Sequence, residues 1–394
     1  MARKATSQDV ANRAGVSRSA VSFVLNGRAD GNIAKDKQLR ILAAAKELNY
    51  TPNAVARSLQ SQSTHTIGVV TDAIAGGPFA GKLLQGASNA AFNAGYLLLV
   101  IETQSDELRE DIAFTTLLNR QVDALIFAAE SLREHQPHPS MNNVPALLAN
   151  SFDPSGTRRS IIPDEVFGGR TAAQLLLDAG HSNIAYLSGG HELVATGLRT
   201  EGVNAAVKAA GLAPIPTLEA GWEISDGYTA AMRLFTDDGV SPARRAGSPG
   251  SGSTGSTGSG HTDRGPTGVV CANDRVAMGV ILACGKLGLR VPEDVSIVGY
   301  DDDEPLARTA VPGLTTVSLP HREMGEMAVK LLLEDLSSPG TSSPGTAKAA
   351  TAAGATTRTP EARSKESSAG SFTPILVQGS VVMRGSVAAP PSRG

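Results

Sequence analysis

The sequence predicts a small all-α helix-turn-helix headpiece joined to a two-lobed α/β domain, each lobe a parallel sheet covered by helices on both faces. Three observations carry that expectation. Residues 8–26, Q-D-V-A-N-R-A-G-V-S-R-S-A-V-S-F-V-L-N, divide into two short amphipathic segments around a glycine turn. The first 65 residues hold ten Lys or Arg against four Asp or Glu, whereas the whole chain of 394 residues is −3. One end is therefore suited to a polyanion and the remainder is not. From Thr66 onward continuous apolar runs alternate with amphipathic helices, the pattern of buried parallel strands joined by helical crossovers.

In the headpiece, Ser7 is expected to cap a helix whose Val10, Ala11 and Ala14 share one face, with Gly15 supplying the turn. Ser17 caps the next helix, where Ala20, Val21, Val24 and Leu25 point inward and Arg18, Ser19, Ser22 and Phe23 lie on or near the outer face. A helix-turn-helix offers its second helix to the DNA major groove in this way. Thr6, Ser17, Asn26 and Arg28 are placed for phosphate contacts that fix register without selecting sequence. A third helix, about Asp36 to Leu48, should complete the core through Leu39, Leu42, Ala45 and Leu48. Pro52 ends it, and Asn53 can cap one further turn, Ala54 to Leu59, too short to persist in water without a partner.

In the larger domain, T-I-G-V-V-T, Y-L-L-L-V-I, A-L-I-F-A-A and A-L-L-A read as strands of one lobe, and I-A-Y-L-S, G-V-V-C-A and V-S-I-V-G-Y as strands of a second. Ligands of open parallel sheets bind beyond the carboxyl ends of the strands, so polar residues just after strands are the candidates: Asp72, Asn150, Asn273, Asp274 and Asp301. Residues 241–266 include fourteen consecutive Gly, Ser, Thr or Pro, and 337–371 are equally biased; both are expected to be disordered insertions. The first lacks the Lys-Ser or Lys-Thr pair of a phosphate loop at a helix start. Cys271 and Cys284 lack any ligand-spaced partner, so free buried thiols are expected rather than a metal site. No apolar run reaches membrane-spanning length and no leader-like apolar core follows M-A-R-K-A-T-S, which points to a cytoplasmic protein without membrane contact.

The motifs D-V-A-x-x-A-G-V-S-x-x-x-V-S-x-V-L-N, L-N-Y-x-P-N-x-V-A-R-S-L, A-G-H-S-N-I-A-Y-L-S-G, C-A-N-D-R-V-A-M-G and V-P-E-D-V-S-I-V-G-Y-D-D resemble the lactose/galactose repressor (LacI/GalR) family of bacterial transcription factors. The resemblance implies a larger domain like the type I periplasmic binding proteins, and the organisation 1–52 headpiece, 53–65 hinge and linker, 66–394 effector-binding and dimerisation domain. It implies that Arg18 and Ser19 read bases, Arg18 with a bidentate contact to guanine of about 1–3 kcal/mol. Ser22 and Phe23 lie one turn further along; where other members place Arg, Phe23 offers only apolar contact. Leu59, with Ala56 on the same face, matches the leucine that wedges into a central base step beside its twofold mate. Arg199 and Trp222 match positions that hydrogen-bond and stack on a sugar-like effector, with Asp72, Phe79, Asn150, Asn273 and Asp301 around them. Many members read N-P-F-F where this chain has Gly77-Pro78-Phe79-Ala80, which removes part of one aromatic wall.

The function expected is a dimeric repressor of a carbohydrate-utilisation operon that binds a pseudo-palindromic operator and is released by a small polar effector. No cofactor and no catalysis are expected. Two alternatives stay open: a solute receptor without a regulatory role, and a regulator that takes a nucleobase or nucleoside as corepressor. An enzyme using Asp301 and Asp302 is disfavoured, because adjacent residues leaving a strand point to opposite sides.

Overall fold

A computed structural model of the protein describes residues 5–27, 29, 31–51, 63–73, 78–236, 265–338 and 371–391. They belong to two compact units, Met1–Thr66 and Ile67–Gly394. The expectations for Arg28, for Asn53, Ala56 and Leu59 in the hinge, for nearly all of the two insertions, and for the side chain of Phe79 lie outside the described residues.

The first unit contains α1 (Ser7–Ala14), α2 (Arg18–Leu25) and α3 (Lys35–Glu47). The cap of α1 is Thr6, not Ser7: the Thr6 hydroxyl accepts from Asp9 N–H while the Asp9 carboxylate accepts from Thr6 N–H, a reciprocal capping box. Gly15, with φ 63°, ends α1 in the left-handed conformation that only glycine adopts without strain. Ser17 caps α2 through Ala20 N–H, as expected. Val10, Ala11, Ala14, Ala20 and Val21 bury against Ile41, Ala44 and Ala45 of α3. The expected leucine face is therefore corrected. Leu39 and Leu42 are 68% and 50% exposed, because Ile41 and the two alanines set the rotation of α3 and small side chains allow the closer approach.

The second unit is built on two six-stranded sheets. In chain order its first part runs β1 (Thr66–Thr71), α4 (Pro78–Asn93), β2 (Leu97–Glu102), α5 (Glu107–Asn119), β3 (Ala124–Glu134), β4 (Ala146–Phe152) and β5 (Ser160–Pro163). Then come α6 (Glu165–Asp178), β6 (Ile184–Ser188), α7 (Val194–Ala209), β7 (Thr217–Glu219), α8 (Ile224–Thr236), β8 (Gly268–Cys271), α9 (Asp274–Leu287), β9 (Ser296–Asp301), α10 (Glu304–Thr309) and β10 (Thr315–Ser318). The chain closes with α11 (His321–Ser337), β11 (Ile375–Val377) and β12 (Val381–Val382). One sheet has the order β11-β5-β4-β3-β1-β2, the other β12-β10-β9-β8-β6-β7. The pairings β1–β3, β3–β4, β4–β5, β6–β7, β6–β8, β8–β9, β9–β10 and β5–β11 are parallel, and β10–β12 is antiparallel.

This order makes the chain pass between lobes after β5, after β10 and after β11, so the lobes are not the two consecutive blocks that the strand pattern suggests. Helix α11 follows the second sheet in sequence but packs on the first: Met324, Ala328, Val329 and Leu332 join Leu83, Ala87 and Ala91 of α4 over Ile67, Val69, Ile126 and Leu147. Ala172, Ala173 and Leu176 of α6 pack with Val203, Ala206 and Val207 of α7 over Ile184, Tyr186 and Val298. The α6–α7 contact is close because a Cβ on Gly202 would run into the carbonyl oxygen of Val166, and one on Gly169 into that of Arg199. That approach sets Glu165 at the start of α6 beside Arg199 on α7, which is where the site begins.

Candidate functional site

On the headpiece, Ser19, Ser22, Phe23 and Asn26 follow one another at helical spacing and are all exposed, as are Ser17 and Arg18 at the start of α2. The side chain of Arg18 rests on α1, its Nε donating to Ser7 Oγ at 3.0 Å, and Asn26 Nδ2 donates to Ser22 Oγ at 3.2 Å. Thr6 is exposed, although its hydroxyl is engaged in the cap. The outer surface of α2 thus presents hydroxyls, an amide, an aromatic ring and a guanidinium, with its apolar residues committed to the core. These groups can donate to and accept from base edges and phosphates.

In the α/β unit the ends of the strands enclose a cavity of about 330 Å3 between the lobes. Asn150, Arg199, Trp222, Asn273 and Asp301 line it; Asp72 does not. Arg199, 5% exposed, is the hub. Its Nε and Nη2 donate to the two oxygens of Glu165 at 2.6 and 3.0 Å, and its Nη1 donates to the Ala272 carbonyl at 2.6 Å. Its plane lies over the Tyr300 ring, 3.9 Å from the centroid, with the Trp222 ring centroid at 5.9 Å. Burial alone would lower the Arg199 pKa, but Glu165 and Asp301 outweigh it and hold the guanidinium firmly charged.

Asp301 is the counterpart. It is 4% exposed, and its Oδ1, with no hydrogen-bond partner, lies 3.6 Å from Arg199 Nη2. Its φ of 98° is unusual for a residue with a side chain and marks strain at the end of β9. Burial pushes its carboxyl well above the usual range, with Asp274 and Glu165 adding to the shift and Arg199 opposing it. Three of the five Arg199 N–H groups are engaged by Glu165 and Ala272. A buried unmatched acceptor beside spare guanidinium donors fits a hydroxyl, which can donate to one and accept from the other. The half-buried face of Trp222 adds an apolar wall, and its Nε1 donates to Glu192 at 3.2 Å.

Several candidates hold the framework. Asp72 accepts from the N–H groups of Ala73 and Glu130 and from Arg133 Nε, at 2.9, 2.8 and 3.2 Å, which secures the end of β3. Asn150, with φ 53°, donates both amide hydrogens to the carbonyls of Ala129 and Glu130 and keeps only its Oδ1 as an acceptor. Asn273 caps α9 through Val276 N–H and donates to the Trp222 carbonyl, so its amide positions the tryptophan. Asp274 is outside the cavity lining and buried, accepting from Thr316 Oγ1 at 2.6 Å and from Asp303 N–H at 2.8 Å. Burial raises its carboxyl to about 7.

Sequence reasoning missed Glu165, Glu130, Tyr300 and His321. Glu165 and His321 each follow a strand end within three residues, so the rule that found Asp72 would have found them, whereas Glu130 lies inside β3 at an irregularity that no local pattern marks. Tyr300 carried no such signal, since it sits inside an apolar strand. Both cysteines are free and buried, as the spacing suggested. Among the described residues His191, Glu192 and Glu219 are the group with metal-ligand proximity, and all three are exposed. His191 Nδ1 is already 3.2 Å from Glu219 Oε1, and Glu192 holds the Trp222 indole. Among the described residues no helix is long and apolar enough to cross a membrane.

Residues 6–53 match the model of bacterial regulatory proteins of the lacI family, and 64–247 that of the periplasmic binding proteins and sugar binding domain of the LacI family. Residues 173–357 match a periplasmic binding protein-like domain. The chain is 35% identical over 339 residues to the ribose operon repressor of Escherichia coli K12, covering 85% of this chain and 94% of that one. It is 32% identical to the HTH-type transcriptional repressor PurR of Haemophilus influenzae, over 84% and 91% of the two chains. A crystal structure of the Lac repressor dimer bound to operator and an anti-inducer is similar at TM-score 0.70 and 26% identity, over 98% of this chain and 100% of that one. The basic headpiece with its exposed second helix and the two-sheet domain with its cleft thus recur together along nearly the whole chain, and the protein belongs to the LacI family of bacterial regulatory proteins, as a DNA-binding transcriptional regulator with a small-molecule effector domain.

Proposed function

We propose that the protein represses a carbohydrate-utilisation operon, binding a pseudo-palindromic operator as a homodimer and leaving it when a sugar occupies the cavity between the lobes. The observation that carries the sugar is the unmatched Asp301 Oδ1 beside the spare Arg199 N–H groups, against the face of Trp222. Similarity to a ribose operon repressor supports the same class. In this reading Arg18, Ser19, Ser22 and Phe23 face base edges, while Thr6, Ser7, Ser17, Asn26 and Arg28 meet phosphates. Asn53, Ala56 and Leu59 form a hinge that folds over a bent central step, with paired Leu59 side chains as the wedge.

The dimer is supported by apolar residues that α4, β2 and α5 leave in solvent: Phe92, Leu97, Leu99, Val100, Leu108 and Ile112. Twofold pairing through that lobe would set two headpieces over two half-sites. Effector binding would change how the lobes close and so the spacing of the hinges; the coupling is the effector's differential affinity for the two arrangements. Binding without turnover in the cytoplasm completes the proposal. The test is fluorescence anisotropy of the full chain on DNA from its own promoter region, with and without pentoses, hexoses and purine bases. Affinity for a palindrome that falls at least about tenfold with one sugar is expected; operator binding unchanged by a ligand that calorimetry shows to bind would refute it.

A further inference from the structure

The charges around the cavity narrow the class of effector. Four carboxyls line it, those of Glu130, Glu165, Glu223 and Asp301, against the guanidinium groups of Arg199 and Arg275. Both cations are already matched: Arg199 is 2.6 Å from Glu165 and 3.6 Å from Asp301, and Arg275 Nη1 is 2.9 Å from Glu223. His321 forms part of the wall but supplies no charge. Its burial, with Lys82 and Arg199 nearby, lowers its pKa to about 3. Lys82 lies outside the lining, its Nζ donating to the Asp302 carbonyl at 2.6 Å. Residues 74–81, I-A-G-G-P-F-A-G, contain no charged residue and so bring no cation.

Glu130 differs from the other three carboxyls. It lies where the β3–β4 register shifts between Ala128 and Arg133, with its N–H bound by Asp72 and its carbonyl by Asn150. This clamp carries its side chain into the cavity wall. Among the described residues no hydrogen bond or ion pair reaches its carboxylate. Burial raises its pKa, and Asp72 and Glu102 raise it further, so it stands in a negative field relieved only by Arg275. Even with Asp301 protonated, the lining keeps more negative than positive charge.

We propose that the effector is an electrically neutral, monosaccharide-sized polyol, and that Glu130 is a specificity-determining residue that excludes phosphorylated or carboxylated forms of the same sugar. The proposal rests on the sugar reading above. A phosphate ester carries roughly −1.5 to −2 charges near neutral pH and would meet an unmatched carboxylate, while both cations in the lining are already paired. At the separations of a cavity this size, repulsion in a partly desolvated site weakens binding at least about 100-fold. A volume of about 330 Å3 is at the small end of the roughly 300–1,000 Å3 range of ligand pockets, which suits one sugar ring.

The experiment is calorimetric titration of the full chain and of Glu130→Gln and Glu130→Asp. The ligands are pentoses, hexoses, their phosphate esters, their uronic acids, purine bases and nucleoside monophosphates. One neutral sugar is expected to bind at least about 100-fold more tightly than its phosphate ester. Glu130→Gln should narrow that ratio by about tenfold or more, and Glu130→Asp, which keeps the charge, should preserve most of it. A phosphate ester or uronate that binds as tightly as its parent sugar would overturn the charge selectivity while leaving the sugar reading intact. An unchanged ratio in Glu130→Gln would remove Glu130 from it. A purine base that binds where no sugar does would overturn the sugar reading and the polyol together.

Discussion

Replacing Glu165 by Gln tests whether the buried charges of the cleft act as one unit. Glu165 is 2% exposed, and its oxygens accept from Arg199 Nε at 2.6 Å, Arg199 Nη2 at 3.0 Å and the Tyr300 hydroxyl at 2.9 Å. The amide keeps the shape but has one acceptor oxygen, so its NH2 must face an N–H of Arg199 or turn away from it. Removing one partner of a buried ion pair costs about 3–5 kcal/mol, because the other charge is left uncompensated. Here Asp301 remains 3.6 Å from the same guanidinium and takes over part of the compensation, which places the expected loss at about 2–4 kcal/mol. Glu165 also helps to hold the Asp301 carboxyl high, after burial and Asp274, so the variant should let Asp301 ionise at lower pH. Urea unfolding followed by Trp222, the chain's single tryptophan, reports on the unit directly. A loss below about 0.5 kcal/mol at unchanged m would refute the view that Glu165 anchors Arg199.

Asp274→Asn addresses pH. A carboxyl raised to about 7 from 3.8 binds its proton more tightly in the folded chain, so its contribution is present at low pH and lost as pH rises from about 4 to 7. The variant should remove a slope of up to about 1.4 kcal/mol per pH unit in that window, and wild-type and variant stability curves that run parallel from pH 5 to 8 would contradict it. Gly202→Ala ought to reverse the usual sign of such a change in a helix, where Ala gains about 1 kcal/mol. Its Cβ meets the backbone of Val166 and Arg170, so a loss of about 1–3 kcal/mol with weaker effector binding is expected, and a rise in Tm would show that α6 and α7 have room to part. Arg18→Ala is expected to reduce operator affinity by about 1–3 kcal/mol while leaving random duplex nearly unaffected; equal losses on both would make Arg18 a phosphate contact only.

How far the sequence could be read depended on the range of the interaction. The turn at Gly15, the cap at Ser17 and the inward face of α2 depend on neighbours within a few residues, and they were legible. The alternation of strands and helices was legible for the same reason, since burial on both sheet faces leaves unbroken apolar runs. The rotation of α3 was not, because Leu39 and Ile41 are equally apolar and only contact with α1 and α2 selects between them. The same limit applied to the cleft. Asp72, Asn150, Asn273 and Asp301 all sit at strand ends, yet Asp72 binds the β3 backbone, Asn273 caps α9, and Asp301 keeps an unmatched oxygen on the cavity.

A basic helix-turn-helix followed by parallel-sheet lobes is written into the order of residues, because capping, periodicity and charge are local or additive properties. Packing between distant segments, by contrast, sends α11 back to the first lobe, lets Glu165 neutralise Arg199 across two helices and brings Glu130 to the cavity without a partner. Those outcomes depend on which of several equally polar side chains finds its hydrogen-bond partner first within reach, and that is set by packing between segments 30 to 250 residues apart, a distance no local pattern records.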